Sequence, residues 1–151
     1  MRQVPLAELP SLVGQEIGVS DWLEITQDRI NRFADATGDH QWIHVDPERA
    51  TKESPFGGPI AHGYLTLSLG PVLMPQVAIT TGFKMGVNYG MNSLRFLTPV
   101  KSGQRVRGRF LLRDIARKVE NRVLITYDAT VEIEGAVKPA LVAEWLIMTI
   151  L

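Results

Sequence analysis

The chain has 151 residues, 45% of them hydrophobic and 21% charged, with Lys+Arg and Asp+Glu balanced at 16 each. That length suits one domain able to bury roughly two thirds of its unfolded surface, and the composition excludes the disordered and fibrous classes. Balanced charge gives no global field for nucleic acid or an anionic membrane, and the lack of cysteine excludes disulfides and thiolate chemistry and fits a reducing cytoplasm.

Met1 to Leu12 carries no apolar run behind a basic segment, so no signal peptide is predicted. No stretch of about 18 uninterrupted apolar residues occurs, which predicts a soluble chain without a membrane span. Ile17 to Ile25, IGVSDWLEI, is rich in β-branched and aromatic residues and reads as a strand. Thr26 then suits a helix N-cap, Asp28 its first turn, and Ile30, Phe33 and Ala34 one apolar face, with an end near Thr37-Gly38. From Asp39 to Ile60 the chain is polar and proline-bearing, mostly loop, with Asp46-Pro47 starting a short helix through Glu53.

Ala61 to Val77 is a largely apolar helical run, which predicts burial, with Gly70-Pro71 and Pro75 kinking or ending it. Four strands follow: Gly86 to Pro99, Gln104 to Ile115, Val119 to Ile133 and Lys138 to Ile150. The third alternates without a break from Val123 to Ile133, whereas the last is apolar on both faces around Trp145 and is expected to be covered on both. A hairpin is expected at Val119 to Arg122. Strand, helices, then four strands predict an α+β fold whose antiparallel sheet has its helices on one face.

All three histidines fall between Asp39 and His62, in the least regular stretch, where function concentrates. Asp39 and His44 are close enough in the chain to converge on one water. The imidazole titrates near neutrality and can take a proton, while the carboxyl group orients the water or returns one. Asp-x(4)-His is a weak pattern, and on spacing alone a turn-closing Asp39 and a satisfied loop histidine account for it better. His40 and His44 also have a metal-ligand spacing if helical, but the Glu of the zinc-protease pattern is missing. Gly57 to Gly63 leads into the apolar helix. Free N–H groups at that start, with Gly63 allowing close approach, suit an oxyanion site, although a plain glycine-rich turn is an equal reading. His62 reads either as a substrate contact or as a structural hydrogen-bonding residue. Tyr64, Leu65, Leu67 and Leu69 are candidates for an acyl tunnel, with core packing the plainer reading for most. Lys84, Arg95, Arg117 and Lys118 are candidates for phosphate contacts, against ordinary surface charge.

Three blocks, ADATGDHQWIHVDPERA from Ala34, SPFGGPIAHGYLTLSL from Ser54 and VNYGMNSLRFLTPVKSG from Val87, resemble the MaoC-like dehydratases, also called hydratase 2, and especially the subgroup near nodulation protein N. The resemblance implies a hot-dog fold, an antiparallel sheet wrapped around a long central helix, in a homodimer joined edge to edge. It also implies hydration of a trans-2-enoyl-CoA to a (3R)-hydroxyacyl-CoA, with no metal or redox cofactor. The family's Asp and His positions fall on Asp39 and His44, and its thioester-polarising amide falls on Gly63; His62 and Tyr64 are the remaining substrate-binding candidates. Many members carry Asn-Pro where this chain has Gln41-Trp42, so Trp42 either narrows the pocket or replaces proline's rigidity by packing. Two rivals remain at this point: a hot-dog thioesterase, and a module that binds acyl-thioesters without turnover.

Overall fold

The computed structural model describes residues 2–151. An antiparallel sheet is built from β2 (Glu16–Val19), β3 (Leu23–Glu24), β5 (Met85–Phe96), β6 (Arg105–Val119), β7 (Arg122–Ile133) and β8 (Leu141–Ile150). Its order is β2-β6-β7-β8-β5, with β3 also pairing with β6. A separate parallel pair joins β1 (Arg2–Pro5) to β4 (Ala78–Thr81). The helices are α1 (Gln27–Thr37), α2 (Trp42–Val45), α3 (Pro47–Glu53), α4 (Gly63–Ser68) and α5 (Gly70–Val77), and a 3-10 helix spans Leu6–Leu12. The sheet curves around α4 and α5, which is the hot-dog arrangement. Among the described residues no helix is long and apolar enough to cross a membrane.

Local chemistry explains most of these elements. The Thr26 side chain accepts from the Arg29 N–H, and Gly38 closes α1 at φ 80°, a left-handed conformation that costs glycine little. Asp46 caps α3 in the same way, with Pro47 at the first position. The expected helix over 61–77 is two helices. Pro71 has no N–H to extend the first of them, and Leu69 falls at the junction. The expected strand over 17–25 is likewise two, because Ser20 leaves the ladder to bond Gly108: its N–H donates to the Gly108 carbonyl at 2.8 Å and its Oγ accepts from the Gly108 N–H at 2.9 Å.

The helix layer lies unusually close to the sheet at Gly108. A Cβ there would stand 2.6 Å from the Phe110 ring and 3.1 Å from Leu73 Cβ of α5. On the concave side, Phe110, Leu112, Ile125, Tyr127, Val131, Leu141 and Trp145 pack against Leu65, Leu69 and Leu73. On the convex side, β6 and β7 carry cross-strand ion pairs: Arg105 with Glu134, Arg107 with Glu132, Arg109 with both Glu132 and Glu16, and Arg113 with Asp128. β8 is therefore not covered equally. Its Leu141, Ala143 and Trp145 are buried under the helices; on the other face Leu146 and Met148 are buried as expected, whereas Val142, Glu144 and Ile150 are only half-buried. β5 closes one edge of the sheet and is largely exposed, with Met85, Val87, Tyr89 and Phe96 open to solvent.

Candidate active site

The candidate residues meet where the loop after α1, the single turn α2 and the start of α4 converge. Three backbone links bring them together. The Ile60 N–H donates to the Ile43 carbonyl, the Ala61 N–H to the Val100 carbonyl and the Ser102 N–H to the Pro59 carbonyl, which ties the segment before α4 to α2 and to the approach of β6. From α1, Gln27 Nε2 donates to the His44 carbonyl at 2.7 Å and to Asn31 Oδ1 at 3.0 Å, fixing α2 against the first helix.

His44 is 7% exposed, and its Nδ1 lies 2.6 Å from the Ile60 carbonyl oxygen. A carbonyl can only accept, so Nδ1 carries the hydrogen and the neutral ring presents Nε2 as a proton acceptor. Burial lowers the His44 pKa from its ordinary value. The Ile60 bond and the Asp39 charge oppose that shift, and the neighbouring His62 adds to it. A neutral, basic imidazole is the outcome.

His62, 3% exposed, stacks on His44 with ring centroids 3.8 Å apart and packs against Phe33 at 4.9 Å. Its Nε2–H donates to the Asp39 main-chain carbonyl at 2.9 Å and stands 3.9 Å from Asp39 Oδ2. Asp39 itself is half exposed, at 56% for its side chain. One ring nitrogen from each histidine and one Asp39 oxygen all lie within 4.8 Å of one another. Such a cluster suggests a metal, but stacked rings hold their in-plane lone pairs side by side, and zinc needs donors converging at about 2.0 Å in a tetrahedron. The spacing suits a hydrogen-bonded water better. The other metal pairing, His40 with His44, does not form: His40 turns outward to Asp35 at 2.9 Å.

Gly63 opens α4, and the residue before it provides no side-chain cap, so the first N–H groups of that helix have no side-chain acceptor. A Cβ there would meet Phe96 Cδ1 and Cε1 at 3.0 Å, so a larger residue has to displace that ring. Beside it opens an apolar cavity of about 400 Å³, which His44, Gly63, Tyr64, Thr66, Phe96 and Val100 help to line. Tyr64, 67% exposed, meets Phe96 edge-on at the mouth. His62 does not line the cavity; it stands behind His44.

Trp42 faces away from this cavity and lies under the Arg49 guanidinium, 4.3 Å from ring centre to Cζ. The turn that carries His44 is thereby held by packing onto α3. The strand register separates the four cationic candidates. Lys84 reaches the Leu151 carbonyl, and Arg117 and Lys118 sit by the β6–β7 turn, all at the end of the sheet away from Ala140 and the cavity. Within one chain only Arg95, next to Phe96, adjoins it. Sequence reasoning assigned no role to Phe96, Val100 or Ala140, although the first two lie in a quoted block; their signal is three-dimensional.

Residues 8–133 match the family described as MaoC like domain. The chain is 51% identical over 150 residues to Nodulation protein N of Rhizobium leguminosarum bv. viciae, covering 97% of this chain and 91% of that protein. It is 49% identical over 142 residues to 3-hydroxyacyl-thioester dehydratase Z of Mycobacterium tuberculosis, covering 94% and 93%. Among solved structures, the unliganded R-Hydratase PhaJ1 from Pseudomonas aeruginosa superposes with a TM-score of 0.71 at 27% identity, covering 91% of this chain and 81% of that one.

Proposed function

The chain belongs to the MaoC-like dehydratase family, and from that premise we propose that it adds water reversibly to a trans-2-enoyl-CoA, giving a (3R)-hydroxyacyl-CoA. The observation that carries this reading is a buried neutral imidazole, His44, that lines an apolar cavity together with Gly63 and has the half-exposed Asp39 carboxyl group clustered with it on the side away from the cavity lining. The 49% identity to a protein named for dehydrating 3-hydroxyacyl-thioesters supports it independently.

In this reading His44 takes one proton from a water that Asp39 holds by its other hydrogen. The water oxygen bonds to C3 as the double-bond pair moves through C2 to the thioester oxygen, where the Gly63 N–H meets the developing charge. The proton then returns through the Asp39–His44 pair to C2, so that the net change is addition of one water. His62 acts one step removed, holding the Asp39 backbone and the His44 ring in place. Tyr64 borders the entrance to the thioester.

The test is an assay with trans-2-enoyl-CoA in which enoyl absorbance and free thiol are followed together. Loss of absorbance without thiol is the expected result. Thiol release would make the protein a thioesterase, and tight binding with neither signal would make it a non-catalytic module. The same reading has two copies joined along β5, since a long exposed edge with apolar side chains is otherwise open to indiscriminate pairing. Sedimentation at micromolar concentration should then show a homodimer; monomer alone would refute the edge pairing.

A further inference from the structure

Three apolar cavities lie in line beneath α4 and α5. The first, described above, ends at Thr66 and Ala140. The second, about 330 Å³, begins at the next residue on each element, Leu67 and Leu141, and runs to Gly70 and Trp145. The third, about 350 Å³, is walled by Met74, Ile125, Tyr127, Ile147 and Thr149. Strand register sets their order. Val131, Ala129, Tyr127 and Ile125 stand opposite Leu141, Ala143, Trp145 and Ile147, and alternate residues of a strand share one face. Trp145 and Tyr127 are thus direct partners at the boundary between the second and third cavities.

Both rings are held there. Trp145 Nε1–H donates to Asn88 Oδ1 at 3.1 Å, and its ring packs against Phe110 at 6.3 Å. Gly70 brings α5 down onto the indole, where a Cβ would stand 3.2 Å from Trp145 Cη2. Tyr127 is 2% exposed and belongs to the packed core. No charged side chain lines the second cavity, so its chemistry suits hydrocarbon, and it is the next cavity along α4 after the one that His44 and Gly63 line.

We propose that Trp145 sets the longest acyl chain this protein accepts: the chain passes His44 and Gly63, fills the second cavity and stops against the indole, with the third cavity closed to it. This rests on the hydratase reading. From Ala140 to Trp145 the strand advances roughly 17 Å at about 3.3 Å per residue. At about 1.2 Å per extended bond, that accommodates an acyl chain on the order of a dozen carbons.

The experiment compares kcat/KM for butenoyl-, octenoyl-, dodecenoyl- and hexadecenoyl-CoA, and in parallel the Kd of the matching saturated acyl-CoAs, in wild type, Trp145→Leu and Ala143→Leu, each checked for native circular dichroism. Trp145→Leu opens the partition and should raise the hexadecenoyl-to-octenoyl ratio on the order of tenfold; Ala143→Leu fills the second cavity and should lower the dodecenoyl-to-butenoyl ratio by a similar factor. Opposite shifts support the proposal, and if Trp145→Leu does not fold, the Ala143→Leu shift decides it. Unchanged chain-length profiles in folded variants that still hydrate enoyl-CoA overturn the proposal and leave the hydratase reading intact. A wild type that hydrates no chain overturns the hydratase reading instead, and the binding series then decides the cavity's role by whether its length dependence shifts in the same directions.

Discussion

Asp39→Asn and His44→Ala are each expected to lower enoyl-thioester hydration by at least about a hundredfold, the low end for positioned acid/base groups. The two changes differ in their structural consequences. Asp39 is half exposed, so an isosteric amide removes charge and basicity with little loss of packing. His44 is buried and its Nδ1–H occupies the Ile60 carbonyl, so alanine leaves that acceptor unpaired at a cost of about 1–3 kcal/mol. Circular dichroism and a urea midpoint separate that cost from the loss of rate. Because both groups act on one water, the double variant should lose much less than the product of the single losses. The pH profile carries the same signature. Burial lowers the His44 pKa, so the neutral base persists as pH falls below the ordinary histidine value of about 6.5, and the acidic limb of the rate lies beneath it. Near wild-type rates in both single variants would sink the acid/base assignment.

Gly63→Val comes next in expected effect, a loss of about a hundredfold to a thousandfold in kcat, the range for removing one oxyanion-hole donor. The new side chain would strike the Phe96 ring, since even a Cβ lies 3.0 Å from it. Phe96 is only half-buried and can swing outward, so the fold should survive while the approach to the Gly63 N–H is obstructed. Combining Gly63→Val with Phe96→Ala distinguishes the causes. If rate returns, the loss came from the displaced ring; if it does not, the amide was blocked. A stable Gly63→Val protein with undiminished hydration would remove Gly63 from the site.

How far the sequence carries depends on the range of the interactions involved. The caps of α1 and α3 were legible because Thr26, Gly38, Asp46 and Pro47 act within three or four residues of their targets. β7 was legible because one face of it is buried along its whole length. The N-terminal strand and 3-10 helix were hidden behind Pro5 and Pro10, and β4, directly after the helical run that ends at Val77, carried no strand signal of its own because its partner, β1, lies some seventy-five residues earlier. At the candidate site, the clustering of histidines around Asp39 was visible. The tautomer of His44 was not, since it depends on the carbonyl of Ile60 sixteen residues on. Nor was the placement of His62 against the Asp39 backbone, a contact twenty-three residues long. Trp42 left two alternatives open in the sequence, and its stacking on Arg49 favours packing over narrowing of the pocket.

The rows of guanidinium and carboxylate across β6 and β7 have a thermodynamic consequence for growth of the assembly. Laying a second sheet on that face would strip water from Arg105, Arg107, Arg109, Arg113 and their acidic partners, at several kcal/mol per ion. Pairing along the bare rim of β5 has no comparable dehydration penalty. Layered stacks are therefore disfavoured from the outset, and any addition of copies is directed into the plane of the sheet.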